Sequence, residues 1–294
     1  IDEQHKFGVK QRMSLAEKGG QYCDVLLMSA TPIPRTMMMS MYGDMDVSKL
    51  DEKPQNRKSI ITLSKPESKI NDLWPFIEKQ LNKKNQIFWV CPLIDDSKIL
   101  DYTSVKKRFE FINEKFPGKV AVLHGGTEKN EKEKILKDFL DLKINILVST
   151  TVIEVGIDFP SANTIIIENA NKFGLAQLHQ LRGRVGRGSI QSYCVLLFKE
   201  SLNNNAKLRL KVLKSSNDGF YIAEQDMRMR GYGDIIGFQQ SGLKNFKIAN
   251  LIEHKDLFIF AEKYIKNIEK KETSFKKFDF LLKIFDKADV INLE

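Results

Sequence analysis

An α/β fold with a parallel sheet, followed by a helical C-terminal module, is what this sequence predicts, and three observations predict it. Short, near-continuous apolar runs recur at 86–91 (QIFWVC), 120–123 (VAVL), 144–149 (INILVS), 164–168 (TIIIE) and 192–198 (SYCVLLF). Stretches with helical spacing separate them, at 69–83, 102–116, 130–141 and 174–185. After Lys199 the strand-like runs stop, and only helical spacing continues, at 203–230 and 248–270. A strand apolar at every position must be covered on both faces, and intervening helices supply the covers.

The elements follow in order. Residues 25–30 (VLLMSA) read as one further buried strand, stopped by Pro32 and Pro34, which interrupt any ladder or helix. Residues 43–68 are polar, carry Pro54 and Pro66, and read as a linker between domains. The expected organisation is therefore the end of one domain at 1–55, a complete α/β domain at 60–200, and a helical module at 201–294. Within that module Gly231, Gly233, Gly237 and Gly242 mark a loop free to change shape.

Composition narrows the function. With 42% hydrophobic and 29% charged residues, the chain is not disordered, and no apolar run approaches the roughly 18 residues of a membrane span. Forty-seven basic against 38 acidic residues leave +9, which favours an acidic partner, nucleic acid first. Cys23, Cys91 and Cys194 form no CxxC pair, zinc spacing or disulfide framework, so reduced thiols in a cytosolic protein are expected. The opening Ile1-Asp2-Glu3 has neither a start Met nor a signal peptide, and a fragment is expected.

Four groups of residues carry chemistry. In Asp2-Glu3-Gln4-His5 an Asp can hold Mg²⁺ through water while the adjacent Glu orients or deprotonates an attacking water. A solvated acidic patch with a capping Asp is the plainer reading of that string alone. Ser29-Ala30-Thr31 follows a strand's length downstream, and its hydroxyls can relay the state of the acidic loop.

In Ser149-Thr150-Thr151-Val152-Ile153-Glu154-Val155-Gly156-Ile157-Asp158 a strand runs into a hydroxyl-rich loop at its carboxyl end, where open α/β sheets place ligands. Thr150 can grip a nucleic-acid phosphate there and Asp158 can face a nucleotide. The strongest signal is Gln180-Leu181-Arg182-Gly183-Arg184-Val185-Gly186-Arg187-Gly188. Arg184 and Arg187, three apart, face one way on a helix end, and two guanidiniums together suit a polyphosphate. A generic basic patch is the alternative.

His124-Gly125-Gly126 follows a strand; with no second ligand at metal spacing, contact with a nucleic-acid backbone through Gly125 is the better reading. The phosphate-cradling G-x-x-x-x-G-K-[ST] loop occurs nowhere in the sequence.

In this order the motifs resemble those of superfamily 2 helicases. DEQHKFGVKQR, SATPIPRT, MYGDMDVS, WVCPLIDDS, STTVIEVGID, FGLAQLHQLRGRVGRG and IAEQDMRMRGYGDIIGFQQSG closely resemble the RecG family of bacterial branched-DNA helicases over essentially the whole chain. The Mfd-type transcription-repair coupling factors share much of the set. The resemblance implies a RecA-like motor lobe at 60–200, preceded by the tail of a first lobe at 1–55 and followed by a translocation hairpin within 201–294.

It implies an ATP- and Mg²⁺-dependent enzyme that acts as a monomer on fork, branched and duplex DNA at the nucleoid. Asp2, Glu3 and His5 match the hydrolytic acids and their coupling residue, and Ser29 and Thr31 the lobe-coupling motif. Gly156, Asp158 and Gln180 match nucleotide-facing positions, and Arg184 and Arg187 the γ-phosphate arginines. Thr150 falls on the DNA side, and Arg228, Arg230 and Gln240 on the hairpin. The sequence departs from the family's usual Arg at Lys6 and Gln239. A Walker A loop and a wedge domain are expected upstream. A translocase coupled to transcription and a non-catalytic DNA-binding module are the alternatives.

Overall fold

In the computed structural model, residues 2, 18–20, 24–29, 48, 50, 52, 57–92, 98–150, 158–230 and 254–270 are described. Six strands, β1 (Ile61–Pro66), β2 (Gln86–Val90), β3 (Val120–Leu123), β4 (Ile146–Ser149), β5 (Ala162–Ile167) and β6 (Tyr193–Phe198), form one sheet of order β1-β6-β5-β2-β4-β3. Every pairing is parallel. Helices α1 (Trp74–Asn82), α2 (Lys98–Lys115), α3 (Lys129–Leu140) and α4 (Leu175–Arg182) make the crossovers, with a 3₁₀ segment at Glu67–Leu73.

The central strands are buried at every position, as their apolar runs require, and their alternation builds two cores. On β2, Phe88 and Val90 face one side with Leu147, Ile165, Ile167, Cys194 and Leu196, under Phe139 of α3 and Leu178 of α4. Ile87 and Trp89 face the other side with Ile146, Val148, Ile166 and Val195, under Ile77 of α1 and Ile112 of α2. A one-residue slip in any central strand would exchange the two cores, so hydrophobic pattern and register agree.

Past β6, α5 (Asn204–Ser215) and α6 (Gly219–Arg230) pack on the first core through Leu210, Leu213 and Ile222. Asn203 caps α5 by accepting from the amide of Ala206 at 2.8 Å, and Asp218 accepts from the amide of Phe220 at 2.9 Å ahead of α6. The sheet and these helices through Arg230 belong to one compact unit; α7 (Lys255–Lys270) belongs to a second.

Two readings are corrected. Residues 61–66, assigned to the linker, form β1, whose half-exposed edge tolerates Ser64, Lys65 and a terminal Pro66. Residues 24–29 adopt no regular secondary structure, and Leu26 is 68% exposed. Apolar composition alone makes no strand, and among the described residues this segment is not part of the six-stranded sheet.

Candidate functional site

Because all six strands run the same way, the sheet has a carboxyl edge and an amino edge, separated by a strand's length, roughly 15–20 Å. The candidate residues divide between them.

At the carboxyl edge, His124 ends β3 and Ser149-Thr150 end β4. His124 Nδ1 accepts from the amide of Gly126 at 3.1 Å, and Thr127 Oγ1 accepts from the amide of His124 at 3.1 Å. The imidazole is thereby turned into its own loop. Gly125 is exposed, and a Cβ there would meet nothing within 4 Å.

Ser149 and Thr150 are almost fully buried, yet neither hydroxyl has a hydrogen-bond partner among the described residues. Beside them, Glu168 follows β5 and accepts from Trp89 Nε1, while the guanidinium of Arg108 holds both its oxygens and reaches Glu67 at 3.6 Å. Burial holds the Glu168 carboxyl above the usual carboxylate range, against the pull of Arg108 and the two hydrogen bonds. Burial likewise lifts the Cys91 thiol, with Glu168 adding to the effect. Cys91 and Cys194 are free buried thiols, Cys194 pushed up to about 12 by burial. Cys23 lies outside the described residues.

At the amino edge the arginine motif closes on the segment before β5. Arg187 Nη1 lies 3.5 Å from Asp158 Oδ1, and both side chains are well exposed, 37% and 58%. The two ends of the 149–158 motif part here: Thr150 follows β4 at the carboxyl edge, whereas Asp158 precedes β5 at the opposite one.

A correction concerns the arginines' geometry. The helix α4 stops at Arg182, not 185, and the chain passes through Gly186 at φ +77° before Arg187. Helical spacing therefore does not align Arg184 with Arg187. Gly186 is required, because a Cβ would lie 2.9 Å from Ile60 Cγ1 in a conformation unfavourable to L side chains. Gln180 and Arg184 are half-buried and engaged in other contacts.

Arg182, singled out for no role in the sequence, is 2% exposed and donates through Nη1 to Leu213 O (2.6 Å), Ser216 O (2.9 Å) and Thr62 Oγ1 (3.3 Å). Burial draws its pKa down from the usual arginine value. A signal existed: Leu175, Leu178 and Arg182 share one helical face.

On α6, Arg228 pairs with Glu224 one turn earlier at 3.0 Å, an acid on its own helix. Arg230 ends the helix. Asp2 is exposed and Ser29 half-buried. Glu3, His5, Thr31, Gly156 and Gln240 lie outside the described residues. Among the described residues no three His, Cys, Asp or Glu side chains converge on a metal position, and no helix is long and apolar enough to cross a membrane.

A parallel sheet with helices on both faces, and this arginine loop at its amino edge, define a helicase-type RecA-like motor lobe. Residues 68–189 match the helicase conserved C-terminal domain, and residues 216–286 match the ATP-dependent DNA helicase RecG, domain 3, C-terminal model. In sequence the chain is similar to the C-terminal part of RecG-type helicases. It is 44% identical to the ATP-dependent DNA helicase RecG of Thermotoga maritima over 92% of its own length and 34% of the relative's. Against RecG of Escherichia coli K12 it is 41% identical over 92% of its length and 40% of the relative's. A structure of RecG bound to a three-way DNA junction superposes with a TM-score of 0.66 at 40% identity, over 88% of this chain and 33% of that one. The chain thus spans between a third and two-fifths of the length of these relatives.

Proposed function

We propose that the intact protein is an ATP-dependent DNA helicase and translocase that remodels replication forks and branched DNA in recombination and repair. The observation that carries this reading is the exposed Arg187 beside Asp158, poised at the amino edge for a polyphosphate, in a chain 44% identical to a RecG helicase. Arg187 and Arg184 stabilise charge developing on the transferred phosphoryl group, with Gly156, Asp158 and Gln180 facing the nucleotide.

Asp2 would hold Mg²⁺, which would neutralise charge on the phosphate oxygens, while Glu3 would activate the attacking water and His5, Ser29 and Thr31 would pass the nucleotide state onward. At the opposite edge, Thr150, whose hydroxyl has no partner among the described residues, and the amide of Gly125 beside His124 hold the DNA backbone. Arg228, Arg230 and Gln240 couple lobe motion to duplex DNA. In this division 1–55 is the tail of motor lobe 1, 60–200 is lobe 2 and 201–294 is the translocation module. The protein works as a monomer in the bacterial cytoplasm, at the nucleoid.

The test uses the intact protein on a three-way junction. Arg187→Ala is expected to lower DNA-stimulated ATP turnover about 10³-fold with little change in junction affinity. Arg230→Ala and Gln240→Ala should keep ATPase but lose unwinding. The isolated 294-residue chain, without a phosphate-cradling loop, should hydrolyse no ATP. Normal turnover with weakened DNA binding in Arg187→Ala would make the loop a nucleic-acid patch and the module non-catalytic.

A further inference from the structure

The arginine loop is tied to the segment that enters the sheet. Arg57 Nε donates to Gly186 O at 2.6 Å, across 129 residues of sequence. Three further contacts fasten the same short stretch: Gln191 Nε2 donates to Ser59 O at 2.8 Å, the amide of Ile61 to Ser192 O at 3.0 Å, and Asn217 Nδ2 to Ile60 O at 3.5 Å. Ile60 itself fills the space where Gly186 lacks a side chain.

The contact falls on an informative atom. Gly186 is the left-handed residue that reverses the chain immediately before Arg187, so the orientation of its peptide sets the direction in which Arg187 leaves the loop. Charge-assisted donation to that carbonyl holds the peptide in one orientation. Without it, the loop has one glycine of large conformational freedom and a side chain whose ion pair is exposed and therefore weak.

We infer that Arg57 is a positioning residue for the arginine loop: it straps the Gly186 carbonyl to the stretch ahead of β1 and so presets Arg187 for phosphoryl transfer. The inference rests on the phosphoryl-transfer reading of Arg187. It adds that the stretch leading from the N-terminal region into the sheet acts on that arginine directly, through one hydrogen bond.

The experiment is steady-state ATPase of the intact protein with junction DNA, comparing wild type, Arg57→Met, Arg57→Lys, Arg187→Ala and the Arg57→Met/Arg187→Ala pair. Arg57→Met keeps the aliphatic stem but removes the donor, and it should lower kcat about tenfold or more while KM for ATP and junction Kd stay within about twofold. Arg57→Lys, which restores a cationic donor, should recover much of the loss. In the Arg187→Ala background, Arg57→Met should cost less than about twofold, because the strap acts only through that arginine.

Wild-type turnover and its collapse in Arg187→Ala report on the site itself. With both observed, wild-type kcat in Arg57→Met overturns the strap alone. So does a full, multiplicative loss in the double variant, or a kcat loss that Arg57→Lys does not relieve and that tracks a fall in melting temperature. Absence of DNA-stimulated turnover in the wild type would instead overturn the site reading.

Discussion

The two edges of one sheet are built on opposite principles. At the carboxyl edge the charges are withdrawn from water and locked: Glu168 is 7% exposed and is held by Arg108 and Trp89. Also at that edge, the Ser149 and Thr150 hydroxyls are buried without a hydrogen-bond partner among the described residues. At the amino edge Arg187 and Asp158 stand in solvent, and their loop is held by packing on Ile60 and by donation from Arg57 to the Gly186 carbonyl. The lesson is that an arginine's neighbours, not its motif, decide what it does. Arg182 and Arg187 lie five residues apart in one motif, the first sealed among carbonyls and the second exposed beside an acid.

The largest expected effect removes the sealed member. Arg182→Ala leaves two buried carbonyls and the Thr62 hydroxyl without their donor, and should cost about 3 kcal/mol of stability by urea unfolding. A loss comparable to that of an exposed arginine would erase the contrast between the two.

Gly186→Ala comes next, at about 2 kcal/mol, because the left-handed backbone and the 2.9 Å approach of Ile60 both resist a Cβ. Ile60→Ala in the same chain should relieve the steric part only. Full recovery would show that the backbone conformation matters little.

A smaller effect is expected at the carboxyl edge as a function of pH. Burial raises the folded-state pKa of Glu168, so the folded form holds its proton more tightly than the unfolded chain. Stability from this group is complete below the ordinary carboxylate range and is lost as pH rises through the folded pKa. Wild-type stability minus that of Glu168→Gln should therefore fall as pH rises from about 4, then level off above the folded pKa. A difference that grows with pH over this window would mean that the Arg108 ion pair outweighs burial.

The smallest change in stability is expected for Thr150→Val. Its hydroxyl is buried with no described partner, so an isosteric methyl should alter stability by less than about 0.5 kcal/mol. Junction affinity of the intact protein should nevertheless fall. If stability dropped sharply with affinity unchanged, the hydroxyl would be structural and the carboxyl edge would lose its proposed ligand contact.

The sequence by itself determined the five central and distal strands, the helices between them and their parallel arrangement. Continuous apolar runs such as QIFWVC and TIIIE admit only a doubly covered sheet, and that constraint is local. It also marked the chemistry-bearing residues, because Arg, Gly and hydroxyl side chains at fixed spacing narrow the ligands a loop can accept.

Only the tertiary structure decided which edge each residue occupies. Thr150 and Asp158 lie eight positions apart in one motif, yet the parallel polarity of β4 and β5 puts them at opposite ends of the sheet. It alone revealed β1, whose half-exposed edge has no periodic signature, and it shows no regular secondary structure at 24–29. Arg182 and Arg57 were illegible for a related reason. Their partners, Leu213, Ser216 and Gly186, lie 31, 34 and 129 residues away, and they are backbone carbonyls, which every residue carries and no sequence pattern advertises.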